Sequence, residues 1–188
     1  PSIARGKSFL IGHEGAQLFP ADISLEDDPL RRRGLRSHAF DGEGLPTRAS
    51  RLIDRGVIAP WLCDAASARQ LGCQPTGHGA GHGGVTTGNL TLLPGSVSRA
   101  ELMADIKDGV LVTELIGQGV DLMTGDYSRG ASGWRIVNGQ IAGPVDHFTI
   151  AGNLLDMFAD LRAANDVDRR HSTHVPTLRT DSLTVAGD

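Results

Sequence analysis

Apolar positions along this chain recur in short alternating runs broken by glycine, a pattern that predicts strands and hairpins far more often than helices. Gly109 to Leu115 alternates and is rich in β-branched residues, as a half-buried strand requires. Breaks follow at Gly117, Gly119 and Gly125, and then a polar tip, Asp126-Tyr127-Ser128-Arg129-Gly130. Trp134–Val137 and Gln140–Val145 read as a hairpin about Asn138-Gly139, a pair suited to the positive φ of a type I′ turn. Pro144 is placed near the end of its strand, where a missing ladder donor is tolerated on an edge. A second hairpin joins Arg51–Asp54 to Val57–Cys63 through Arg55-Gly56. Single strands are predicted at Ser8–Gly12, Asp22–Glu26, Asn89–Leu93, His147–Ile150 and Leu183–Ala186.

Only three segments carry helical spacing. Ala65–Leu71 is preceded by Asp64 as N-cap and followed by Gly72 at the C′ position. Ser98 and Glu101 form a capping box for a helix through Ile106, stopping at Gly109. Asn153 leads into a helix to about Ala164, with Leu154, Met157, Phe158 and Leu161 on one face. The sum is one α+β domain over residues 1–188: β-rich, a mainly antiparallel sandwich or barrel-like sheet, with about three short helices.

Composition sharpens this. Among 188 residues there are 25 glycines and only 4% aromatics, which implies tight turns and short elements. A net charge of −4 argues against broad nucleic-acid or membrane-surface binding, and no apolar run approaches the ~20 residues that span a bilayer. Two cysteines, Cys63 and Cys73, are too few for a disulfide scaffold and fit a reducing, cytoplasmic setting.

Candidate metal chemistry is scattered. His13-Glu14 begins like a zinc-peptidase helix, but Gln17 and Leu18 stand where a second histidine belongs, and Gly12, Gly15 and Pro20 disfavour a helix. His78 and His82, with Cys63 and Cys73 upstream, lack credible ligand spacing, so Gly77–Gly88 is expected to be a mobile, metal-free loop. His171 and His174 are expected as solvated loop residues. Three consecutive arginines, Arg31-Arg32-Arg33, read as a solvated run, and Asp41 and Glu43 as turn or interface carboxylates whose flanking glycines hold backbone close to something. Gly130-Ala131-Ser132-Gly133 is no nucleophile elbow, since a strand follows it.

GDYSRGASG, an apolar strand, an Asn-Gly turn and then TIAGNLLDMF together resemble the PmbA/TldE branch of the TldD/PmbA family. The segments DDP…GL at Asp27–Leu35, FDGEG at Phe40–Gly44 and LCDAASARQLG at Leu62–Gly72 are similar to further family motifs. The family is known as heterodimeric zinc metallopeptidases first named as modulators of DNA gyrase. The resemblance covers only the C-terminal part of such proteins, so a comparably large N-terminal part is expected beyond this chain, which starts at Pro1. The zinc-bearing branch carries a Cys-Gly segment before its final Pro-Thr-Leu; here Arg170–Pro176 has no cysteine.

The resemblance therefore implies the non-zinc subunit, with no catalytic or metal residue in this chain and zinc held by a TldD-like partner. It implies contacts to that partner or to a peptide substrate through Asp126, Tyr127, Ser128, Arg129 and Gly130. Self-association of the isolated domain is a further expectation; membrane and direct nucleic-acid contacts are not expected. Two alternatives stand beside it: an independent zinc hydrolase using His13 and Glu14 with His78/His82 or His171/His174, and a purely structural β-rich domain.

Overall fold

The computed structural model describes residues 2–187. Its first sheet contains β1 (Leu25–Asp27), β2 (Ser50–Asp54), β3 (Val57–Ile58), β4 (Leu90–Leu92) and β9 (Thr173–His174), in the order β3-β2-β1-β4-β9. All its pairings are antiparallel except β4 with β9. Along the chain, α1 (Ala65–Leu71) falls between β3 and β4, and α2 (Arg99–Met103) between β4 and the second sheet. Asp64 accepts from the Ser67 amide and Gly72 closes α1 with φ 69°, the two caps the sequence implied. The capping box of α2 is present, but the helix ends three residues earlier than the apolar spacing suggested.

The second sheet is antiparallel, in the order β11-β7-β6-β5. It is built from β5 (Asp108–Ile116), β6 (Asp126–Val137), β7 (Gln140–Asn153) and β11 (Thr184–Ala186). β6 and β7, of 12 and 14 residues, meet at Asn138 (φ 48°) and Gly139 (φ 76°). A Cβ on Gly139 would lie 2.6 Å from the Ala104 carbonyl, so the turn is tucked against the end of α2. The two strands expected at Gln140–Val145 and His147–Ile150 are one. A bulge at Asp146-His147 lies between the paired Val145 and Phe148, with His147 at φ 55° and the Asp146 carboxylate accepting from its amide. Pro144 falls inside this strand, not near its end; it pairs with Trp134 where β11 does not reach, so β7 is locally an edge there.

After β7 come α3 (Leu154–Ala159), β8 (Arg162–Ala163) and β10 (Leu178–Arg179), the last two paired antiparallel. The helix is half the expected length because residues 162–163 join a strand pair. Its apolar face still reaches the core: the Phe158 ring stacks on Phe19 at a centroid distance of 4.5 Å. Ile23, Ile53, Ile58, Leu92 and Ala163 complete the first cluster. The second comprises Ala131, Phe148 and Ile150, flanked by Val110, Val112, Tyr127, Val145 and Leu183. Ser8–Gly12, expected as a strand, is a run of turns. The fold is thus α+β, β-rich and mainly antiparallel with three short helices; neither sheet closes into a barrel among the described residues. No helix among them is long and apolar enough to cross a membrane.

Candidate functional site

The stretch Asp126–Gly130 is not a loop tip. It is the first five residues of β6, paired with Asn153 to Thr149 of β7. Its charges and its glycine read as loop chemistry, whereas its partner residues read as a separate short strand and a helix start. Only the long-range pairing reveals the ladder.

Alternation then sorts the five residues onto two faces. Tyr127 and Arg129 share a face with Ala131, Phe148 and Ile150, and Tyr127 packs against that buried cluster. Asp126, Ser128 and Gly130 lie on the other face, with the exposed Thr149 and Ile116. The four side chains of this stretch therefore cannot all meet a single partner from one side.

Asp126 and Arg129 do not pair with each other; both brace neighbours. The Asp126 carboxylate accepts from the Thr124 hydroxyl at 2.8 Å and the Asn153 amide at 3.1 Å, which together hold its pKa below the usual carboxylate range. Arg129 donates to the Leu115 carbonyl at 3.2 Å, while its Nε is buried with no partner among the described residues.

Residues 117–125, between β5 and β6, fold back along β6. The Ser128 amide donates to Gly119 O, the Asp121 amide to Asp126 O, and Val120 forms a bridge with Tyr127. Gly119 is needed here because a Cβ would fall 1.8 Å from the Ser128 carbonyl. The Phe9 amide, from the turns near the N-terminus, donates to Leu122 O and ties the segment down from outside. This bracing leaves Leu115, Ile116, Val120, Leu122 and Met123 exposed, the last two at 56% each. These residues were missed in the sequence; the signal was Val120-Asp121-Leu122-Met123, an apolar run inside an expected polar connection.

The histidines are dispersed. His78 is almost wholly buried: its Nδ1 contacts the Thr76 carbonyl and hydroxyl at 3.0 Å, and its Nε2 lies 3.2 Å from the Asp27 carboxylate. His82 and His171 are exposed, whereas His174 is buried in β9 instead of solvated. The Gly77–Gly88 segment is anchored, since the Gly79, Gly84 and Gly88 amides donate to Asp41, Asp64 and Asp27. Asp41 also accepts from the Glu43 and Leu45 amides, the turn role its position suggested, and Glu43 accepts from the Ala65 amide. Among the described residues no three His, Cys, Asp or Glu side chains gather where they could hold a metal ion, so the donor set does not fit zinc. Cys63 and Cys73 are free thiols with sulfurs 3.6 Å apart.

Comparison with known proteins places this arrangement. The sequence profile described as PmbA/TldA metallopeptidase C-terminal domain matches residues 1–187. Metalloprotease PmbA of Escherichia coli O157:H7 is 36% identical over 187 residues, covering 99% of this chain and 40% of that protein. The chain spans about two fifths of the length of the curated relatives it matches first. A Thermotoga maritima protein described as a candidate modulator of DNA gyrase superposes with a TM-score of 0.88 at 35% identity, over 98% of this chain and 44% of that one. TldE of Thermococcus kodakarensis gives a TM-score of 0.83 at 25% identity, over 99% and 44%.

Proposed function

The chain belongs to the PmbA/TldA metallopeptidase C-terminal domain family, and we propose that it serves as the non-zinc, PmbA/TldE-type half of a heterodimeric peptide-processing metallopeptidase. In this reading the zinc sits in a TldD-like partner, and this chain contributes partner and peptide contacts in the cytoplasm. The observation that carries it is the braced segment 117–125. It holds exposed Val120, Leu122 and Met123 beside Leu115 and Ile116 through main-chain bonds to β6 and to Phe9. Large apolar side chains kept exposed by specific bonding mark an interaction surface more often than chance. The scattered histidines support the non-zinc half of the reading.

The contact surface is thereby shifted from the five-residue stretch to its surroundings. Asp126 and Arg129 shape it, Ser128 lies open on the strand, and the apolar segment supplies the area. Zinc analysis and peptide cleavage test the division of labour. The purified chain is expected to hold well below one zinc per molecule and to leave unfolded peptides intact, and cleavage is expected once a zinc-bearing TldD-like chain is added. One zinc per chain, with cleavage by the chain alone, would sink the proposal.

A further inference from the structure

We propose that the cavity between the Arg31–Leu35 turn and the β9 segment is an oxyanion-binding site, taking one carboxylate or phosphate group. It encloses about 160 Å³ and is lined by Arg31, Arg33, Arg169, His171 and His174, with no carboxylate among its lining residues. The surroundings are unusual for a chain of net charge −4. Arg51, Arg135, Arg162, Arg170 and Arg179 each have an aspartate or glutamate partner. Arg31, Arg33 and Arg169 belong to the larger set of arginines with no such partner among the described residues, and these three converge on one hollow. Arg33 is held there by a left-handed backbone, φ 59°, which a non-glycine residue adopts at a cost.

His174 is the second, independent pointer. Its side chain is 5% exposed, and its Nδ1 lies 2.7 Å from Arg31 Nη1 and 3.1 Å from the Thr91 hydroxyl. A guanidinium only donates, so Nδ1 is the acceptor and Nε2 carries the ring proton. That N–H has no partner among the described residues, and the ring lines the cavity. Arg31 is fixed in turn by its bond to Thr91 at 2.8 Å. A ring N–H without a protein acceptor, on a side chain that lines the cavity and set beside guanidinium groups without counter-ions, is complementary to a compact oxyanion that accepts from several donors at once. The site lies on the first sheet, apart from the apolar surface of the second.

Calorimetric titration of the 188-residue chain at low ionic strength tests this with two probes. One is inorganic phosphate; the other is an N-acetylated peptide ending in two aspartates, compared with its C-terminally amidated asparagine counterpart. Saturable binding at one site is expected for at least one probe, weakening as sodium chloride is raised. The Arg33→Gly/Arg169→Gln variant is expected to weaken it by about tenfold or more. Glycine suits the backbone at residue 33, so folding is kept, and Arg169→Lys should retain more affinity than Arg169→Gln. Tighter phosphate binding assigns a phosphate ligand; binding of the acidic peptide lost on amidation assigns a carboxylate. No saturable binding of either probe, or equal affinity in the double variant, overturns the proposal.

Discussion

Asp41 and Asp64 read in the sequence as turn and cap carboxylates and Asp27 only as part of a family-like segment, yet each is almost wholly buried and gives an oxygen to an amide of the glycine-rich Gly77–Gly88 segment. The sequence displayed the glycines but not the carboxylates, which come from 20 to 61 residues earlier. Hydrogen bonds from Ser67 and Gly84 hold the Asp64 pKa at about 2. Burial pushes Asp27 and Asp41 upward, but His78 and the Gly88 amide outweigh it at Asp27, and the Leu45, Gly79 and Glu43 amides at Asp41. Folded values below the unfolded one, ~3.9, give stability that is complete above that pH and lost as pH falls through the folded values. The melting temperature is therefore expected to hold from about pH 7 to 5 and then to drop steeply toward pH 2. Asp64→Ala should flatten that drop and cost about 1–2 kcal/mol at neutral pH, read by denaturant unfolding. At the cysteines, burial first and Cys73 second push the Cys63 thiol up to about 11, while Cys73 is exposed. Iodoacetamide at pH 8 should label Cys73 in the native chain and spare Cys63 until it is unfolded.

Elements closed by local signals were legible: α1 with Asp64 and Gly72, the start of α2 at its capping box, and the Asn138-Gly139 turn. Elements defined by distant pairing were not. Asp126–Gly130 became a strand because β7 continues past its bulge to Asn153, and α3 stopped at Ala159 because Arg162 and Ala163 pair with Leu178 and Arg179. The site inherits this limit, since its polar residues were visible in the sequence while their division between two sheet faces and the apolar rim were not. A consequence concerns Tyr127→Ala with Arg129→Ala, which would remove a side chain packed on the second core and a brace to Leu115. That variant is expected to lose about 1–3 kcal/mol by thermal or denaturant unfolding, so it is a poor probe of binding. Gly119→Ala is more selective: the clash with Ser128 O should free residues 117–125 while the Asn138–Gly139 hairpin stays paired. Hydrogen exchange should quicken at Asp121 and Ser128 and remain slow at Ile136, and unchanged exchange at Ser128 would refute the bracing.

At the scale of the whole molecule, the two larger sheets, with separate apolar clusters, divide the surface into two chemistries. The first sheet carries the guanidinium-lined cavity, and the second presents an apolar segment fastened to β6. That second surface is the centre of the account, and association with a zinc-bearing TldD-like chain tests it most directly. Leu122→Asp with Met123→Asp alters only side chains already 56% exposed, so stability should stay within about 0.5 kcal/mol of the parent. Sedimentation of equimolar mixtures is the measurement. The parent chain is expected to form a one-to-one complex and the double variant, equally stable, to sediment as a free chain. A parent that fails to associate, or a variant that associates as tightly, would contradict the account.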